Sequence, residues 1–219
     1  MSRRGGRKSP SGQTGGVLDP RFVFLAAGLS MVGATSYVRD TLRGTTSPHR
    51  VTWGLWALEG ILAFIVEVQQ HVGLASIMTL ALGFAPLVVV VTSFKNSHAV
   101  WRIDRVDVIC GVVSLAGLVF WAVINEPTVA LVSFVAADFI AALPTYRKSW
   151  HRPETETPRM FVLGTLNTGI TLLTLKHFTT AGALFPGVIM ITDCILSVLI
   201  LTRVGPRVAQ RTSNKESLA

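Results

Sequence analysis

Seven apolar stretches follow one another along the chain, at about Phe22–Val38, Val51–Val68, Val72–Val91, Val106–Ile124, Thr128–Tyr146, Met160–Leu175 and Thr179–Leu201. Each is near the ~20 residues that an α-helix needs to cross the hydrocarbon of a bilayer. A segment in lipid must also hydrogen-bond its backbone internally, which a helix does. The pattern therefore predicts an all-α membrane protein with seven transmembrane helices. Composition agrees: half of the 219 residues are hydrophobic and 15% are charged, with mean hydropathy +0.52. So little charge would not cover the surface of a soluble domain. The net charge of +8 would suit a nucleic-acid binder, but the basic residues lie between apolar runs, where they orient spans against anionic lipid and the membrane potential. Nucleic acid is therefore not an expected partner; the lipid bilayer is. Glycines spread through the spans, from Gly28 to Gly187, would let helices approach closely.

The connections alternate in character. Those after the second, fourth and sixth stretches are very short (Gln69-Gln70-His71, Asn125-Glu126-Pro127, Lys176-His177-Phe178), whereas those after the first, third and fifth are longer and basic. The basic loops and the C-terminal tail together hold fourteen of the twenty Lys and Arg residues. The positive-inside rule then predicts a cytoplasmic C-terminus and an external N-terminus in the cell (inner) membrane. Against this, Arg3, Arg4, Arg7, Lys8 and Arg21 make the N-terminal segment basic too. That segment is Gly/Ser/Arg-rich and reads as disordered. It precedes a span without a small-residue cleavage site, so no removed signal peptide is expected.

Two of the basic loops resemble one another. Ser36-Tyr37 is followed by Arg39, Arg43 and Ser47-Pro48, and Thr145-Tyr146 by Arg147, Lys148 and Thr157-Pro158. Pairing Tyr37 with Tyr146 and Pro48 with Pro158 makes spans one to three and five to seven equivalent units joined by span four. An odd number of linking spans leaves both units with the same orientation, a parallel repeat about an axis along the membrane normal. The plainer reading is that tyrosine, basic residues and helix-starting proline are ordinary at a cytoplasmic interface. The duplication divides the chain into a tail (1–20), a first three-helix bundle (21–92), a loop and linker helix (93–127), a second bundle (128–202) and a cytoplasmic tail (203–219).

This 3+1+3 layout, with Leu143-Pro144-Thr145 at the inner end of the fifth span, resembles the PQ-loop and SWEET-type transporter group. Thr145 stands where that motif has glutamine, and Ala34-Thr35-Ser36-Tyr37 has neither proline nor glutamine. The resemblance implies passage of sugars, hinge prolines on several helices, and a pocket lined by aromatic and amide side chains. Trp56 and Asn167 are the nearest candidates for that lining.

Three acids within the spans form an independent signal. Glu59, Asp138 and Asp193 each lie about eight residues, hence roughly 12 Å at 1.5 Å per residue, from the same surface. Ionisable groups at such depth usually face a cavity or one another, and neighbouring carboxyls suit a proton-coupled step. Alternatively, each acid pairs privately with a snorkelling arginine or a backbone carbonyl. Pro86 and Pro186 fall within the third span of their units, where proline removes a backbone hydrogen bond and permits a bend. With Pro144 they are the hinge candidates. Most tryptophans, Trp53 included, read as interfacial anchors, and Cys110 and Cys194 as small buried residues.

Scattered histidines without ligand spacing predict no metal and no cofactor, and the chain lacks a recognisable catalytic constellation. The expectation is a transporter of a small polar solute (a sugar, an amino acid or similar), proton-coupled through the acids and compatible with a homo-oligomer. The alternative is a non-transporting scaffold or sensor whose basic loops bind a partner or anionic lipid. An enzyme is not expected.

Overall fold

The computed structural model describes residues 17–19, 21–69, 75–96, 103–124, 126–175 and 180–216. The tail before residue 17, the short connections at Gln70-His71, Asn125 and Lys176-His177, and Trp101 lie outside them. Among the described residues the protein is entirely helical: α1 (Phe22–Leu42), α2 (Arg50–Gln69), α3 (Ala75–Ser93), α4 (Arg105–Val123), α5 (Pro127–His151), α6 (Pro158–Thr174), α7 (Thr180–Thr202) and α8 (Val204–Glu216), with a 3-10 turn at Pro153–Thr155.

Among the described residues, four helices hold stretches long and apolar enough to cross a membrane: Phe22–Leu42, Arg105–Val123, Thr128–His151 and Ala183–Thr202. Their outward faces are apolar too. On α4, Val108, Ile109, Val112, Val113, Leu115 and Val119 all point away from the protein. In water such a surface would aggregate; in lipid it is solvated. These are the features of a membrane protein.

Helix ends follow local chemistry. Asp104 caps α4 by accepting from Asp107 N at 3.0 Å, while Asp107 Oδ2 accepts from Asp104 N at 3.0 Å, so two otherwise unpaired amides are satisfied reciprocally. Glu126 caps α5 on its own, its carboxyl accepting from both Thr128 N and Val129 N ahead of the favourable first-turn Pro127. Those amides hold its carboxyl below the usual carboxylate range. Helix α1 ends in a turn at Gly44, whose φ of 77° lies in the left-handed region that glycine adopts without strain. Helix α5 continues past Pro144 and the expected end at Tyr146 to His151. Small hydroxyls inside the helices bond back to the preceding turn, as Thr165 does to Phe161 O and Thr168 to Gly164 O, which satisfies them in an apolar setting.

Helix α1 packs on α3 and α6, α2 on α3 and α5, and α7 on both α5 and α6, while α4 lies against α5 and α2. Several of these crossings rest on glycine. A Cβ at Gly83 would lie 2.8 Å from the α2 backbone at Gly60 and Ile61, and one at Gly117 would lie 3.1 Å from Ala137 Cβ. Gly28, Gly54 and Gly187 have open space instead, so the expected role of glycine holds only at particular crossings.

The ends of α1, α3, α5 and α7 and the starts of α2, α4 and α6 meet on one side. Ser47 N donates to Thr155 O, Asn96 Nδ2 to Thr46 O, and Arg50 to Ser93 O. The buried core lies just beneath this polar layer: Tyr37, Trp53, Val89, Phe161, Leu196 and Ile200, flanked by Trp56 and Tyr146. Trp53 is fully buried there, with its ring centroid 4.5 Å from that of Tyr37 and 5.2 Å from that of Trp56. It is a core residue rather than the interfacial anchor its position at the start of a span suggests. Cys110 is buried as expected, but Cys194 is exposed on α7.

Candidate functional site

Beyond the aromatic core the interior becomes polar. Glu59 on α2 and Asp138 on α5 are 3% and 6% exposed, and their carboxyl groups adjoin one another, with the Trp56 indole beside Asp138. The geometry follows from helical spacing. Thr52, Trp56 and Glu59 stand at i, i+4 and i+7 on α2, and Asp138, Thr145 and Ser149 at i, i+7 and i+11 on α5, so each set lines one face. Packing of α2 on α5 turns those faces together. Asp193 on α7 lies within electrostatic reach of Asp138 and of Tyr146. Its carboxyl packs directly on Gly164 of α6, in the space a Cβ there would occupy.

The polar atoms here are not consumed by one another. Among the described residues, Glu59 Oε1, Trp56 Nε1, Trp53 Nε1, Thr52 Oγ1, Thr145 Oγ1, Tyr146 Oη, Ser149 Oγ, Thr192 Oγ1 and Ser197 Oγ are buried without a hydrogen-bond partner. All belong to α2, α5 and α7. Leaving a buried donor or acceptor unpaired costs about 1–3 kcal/mol. The atoms among these that lie by the acids, Glu59 Oε1 and Trp56 Nε1 beside Asp138 and Tyr146 Oη near Asp193, mark a place suited to water or a polar solute.

The residues expected to line a pocket separate into two groups. Glu59, Asp138, Trp56 and Asp193 come together. Asn167 does not join their contacts; its Nδ2 donates to Ser30 Oγ at 2.6 Å and ties α6 to α1. The prolines lie inside their helices, Pro86 in α3, Pro144 in α5 and Pro186 in α7, with Pro86 and Pro144 buried.

Sequence reasoning missed the buried network on the loop side. Tyr37 Oη donates to Glu156 Oε2 at 2.6 Å, and Lys148 Nζ donates to Glu156 Oε1 at 2.7 Å and to Ser47 O. Thr46 and Thr157 hydroxyls meet at 2.5 Å, and Thr157 donates to Asp40 Oδ2 at 3.0 Å. Lys148 reads in sequence as one more basic charge of the loop, and nothing in the local sequence marks it or Glu156 as enclosed. Nearby, the His49 ring meets Asp107 Oδ1 at 3.2 Å. Burial, reinforced by the Lys148 cation, pushes the imidazole down to about 3, so the neutral ring bonds Asp107 rather than forming an ion pair. At the exposed rim Arg147 pairs with Asp104 and holds that carboxyl below its ordinary range.

Among the described residues no cluster of His, Cys, Asp and Glu side chains has the arrangement of a metal site. No protein-family description, no curated protein and no solved structure matches the chain.

Proposed function

We propose that this protein carries a small polar solute, a sugar, an amino acid or similar, across the cell membrane, with a proton held at Glu59 and Asp138 as part of the cycle. The observation that carries the reading is the adjoining of those two carboxyls inside an apolar protein. Such a pair accommodates one negative charge far more readily than two, and so can retain a proton or meet a donor group of a solute. Asp193, Trp56 and Tyr146 would share that region. Asn167 would support the α6–α1 contact, from which a rearrangement could bring it inward.

We further propose the full seven-span layout. The packing order supports it: α3 lies between α1 and α2, and α7 lies between α5 and α6, the same order in two successive groups of three, with α4 outside them. That arrangement suits the 3+1+3 parallel repeat and the resemblance to the PQ-loop and SWEET-type group. The side where the basic loops meet would be cytoplasmic, with the N-terminus outside. On that side Tyr37, Trp53, Phe161, Leu196 and Ile200 pack beneath the loop network, so a solute reaching Glu59 from there must part the two bundles. Pro86, Pro144 and Pro186 would allow the helices to bend as this happens.

Reconstitution into vesicles tests the proposal. Uptake of sugars, amino acids and small cations is measured with and without a pH gradient, for the native protein and for Glu59→Gln, Asp138→Asn and Asp193→Asn. The expected result is flux of one solute class that falls at least tenfold in Glu59→Gln and Asp138→Asn. Absence of flux for every solute, or flux unchanged when all three acids are neutralised, overturns it.

A further inference from the structure

The segment after the last span is not a featureless tail. Helix α7 stops at Thr202, Arg203 takes a left-handed φ of 50°, and α8 runs from Val204 to Glu216. That backbone turn is unfavourable for a residue with a side chain, so packing must hold it. Gly205 supplies this hold: it is buried, and a Cβ there would run into the Trp150 carbonyl and indole at the end of α5. Helix α8 is thus pinned at the level where α5 and α7 leave the apolar zone, beside Trp150, a half-exposed indole of the kind that favours a membrane interface.

Its side chains are sorted around the axis. Arg203, Arg207 and Arg211 recur every four residues, and Lys215 continues the spacing. At 100° per residue Arg207, Arg211 and Lys215 form one band along α8, with Val204 and Val208 beside it, and Arg203 stands in the turn that leads into the helix. All three arginines are exposed, and among the described residues none lies within ion-pair distance of a carboxylate. Val208 is 46% exposed beside them. Two valines alone hold a helix to a bilayer weakly, so attraction of the basic band to anionic headgroups must supply most of the binding.

We propose that α8 is an interfacial helix that binds the headgroups of anionic phospholipids through Arg203, Arg207 and Arg211, with Val208 inserted beside them. Planar guanidinium groups suit this, because they bind phosphate oxygens in pairs. The site needs only that the protein sits in a membrane and does not depend on transport.

Amide hydrogen exchange of the full chain in lipid nanodiscs tests it. Exchange across residues 204–216 is expected to be at least tenfold slower in discs containing phosphatidylglycerol than in pure phosphatidylcholine, and the difference should collapse at about 0.5 M salt, where screening acts within a few Å. The Arg203→Gln, Arg207→Gln, Arg211→Gln triple variant should lose the phosphatidylglycerol effect. If that variant does not enter membranes, the salt titration of the native protein decides. Equal exchange in both lipids overturns the proposal. So does a salt-insensitive difference, a triple variant that keeps it, or protection conferred by a short RNA but not by phosphatidylglycerol.

Discussion

Tyr37 Oη donates to Glu156 Oε2 at 2.6 Å across 119 residues of sequence, joining the end of α1 to the loop after α5. Both side chains are buried, and Lys148 meets the other Glu156 oxygen at 2.7 Å. One carboxylate therefore gathers a phenol and an ammonium in a place water does not reach. Tyr37→Phe should lower stability by about 1.5–3 kcal/mol, the usual worth of a hydrogen bond to a charged group. Glu156→Ala should cost more, about 3–5 kcal/mol, because it removes the anion from a buried ammonium. Arg147→Ala, which breaks the exposed pair with Asp104, should leave the melting temperature unchanged. Thermal unfolding in detergent orders the three; equal effects of Glu156→Ala and Arg147→Ala would show that the buried network contributes nothing.

The Thr46 and Thr157 hydroxyls meet at 2.5 Å, so the loop after α1 and the loop after α5 touch directly. A Thr46→Cys, Thr157→Cys pair should crosslink under mild oxidation. If the bundles must part on this side for the solute to pass, oxidation should stop uptake and a reductant should restore it. Full uptake by the crosslinked protein would mean that these loops do not separate during the cycle. Cys110 and Cys194, present in both, make the native protein the control.

Two glycines predict opposite kinds of damage. At Gly83 the neighbour is backbone, 2.8 Å from a Cβ, which cannot step aside. Gly83→Ala should separate α2 from α3 at a cost of about 1–3 kcal/mol, visible as a lower melting temperature. At Gly164 the neighbour is the Asp193 carboxyl, the end of a side chain that can rotate. Gly164→Ala should instead displace Asp193 toward the other acids, and reduce uptake several-fold with less effect on melting. Normal uptake with a normal melting temperature in Gly164→Ala would remove Asp193 from the site.

His49 gives the loop side a pH dependence of known sign. Its imidazole sits at about 3 in the folded protein against an ordinary value of 6.5, chiefly through burial. Between those values the unfolded chain binds a proton that the folded one does not. Stability from this group is thus fully present above about pH 6.5 and declines as pH falls toward 3, by at most about 1.4 kcal/mol per pH unit. Melting curves from pH 7.5 to 5 should show the loss in the native protein and a smaller one in His49→Gln. Identical pH slopes for the two would assign the effect to other groups.

The long helices were legible in the chain because a long apolar run is recorded directly in local composition: the seven apolar stretches match α1 to α7 to within a few residues at most ends. The acids were legible for the same reason, since Glu59, Asp138 and Asp193 stand out against apolar neighbours. Helix α8 escaped notice, because its few apolar side chains hide among polar ones and its start depends on a left-handed Arg203 held by packing on Trp150.

What the chain alone determined, then, was which segments are long apolar helices and which ionisable groups lie within them. Partnership was decided by tertiary structure. Glu59 adjoins Asp138 because α2 packs on α5, Asn167 turns to Ser30 because α6 packs on α1, and the fully buried Trp53 was indistinguishable in sequence from a tryptophan at the membrane surface. Helical periodicity says which residues share a face, but only the packing of one helix on another says what that face meets.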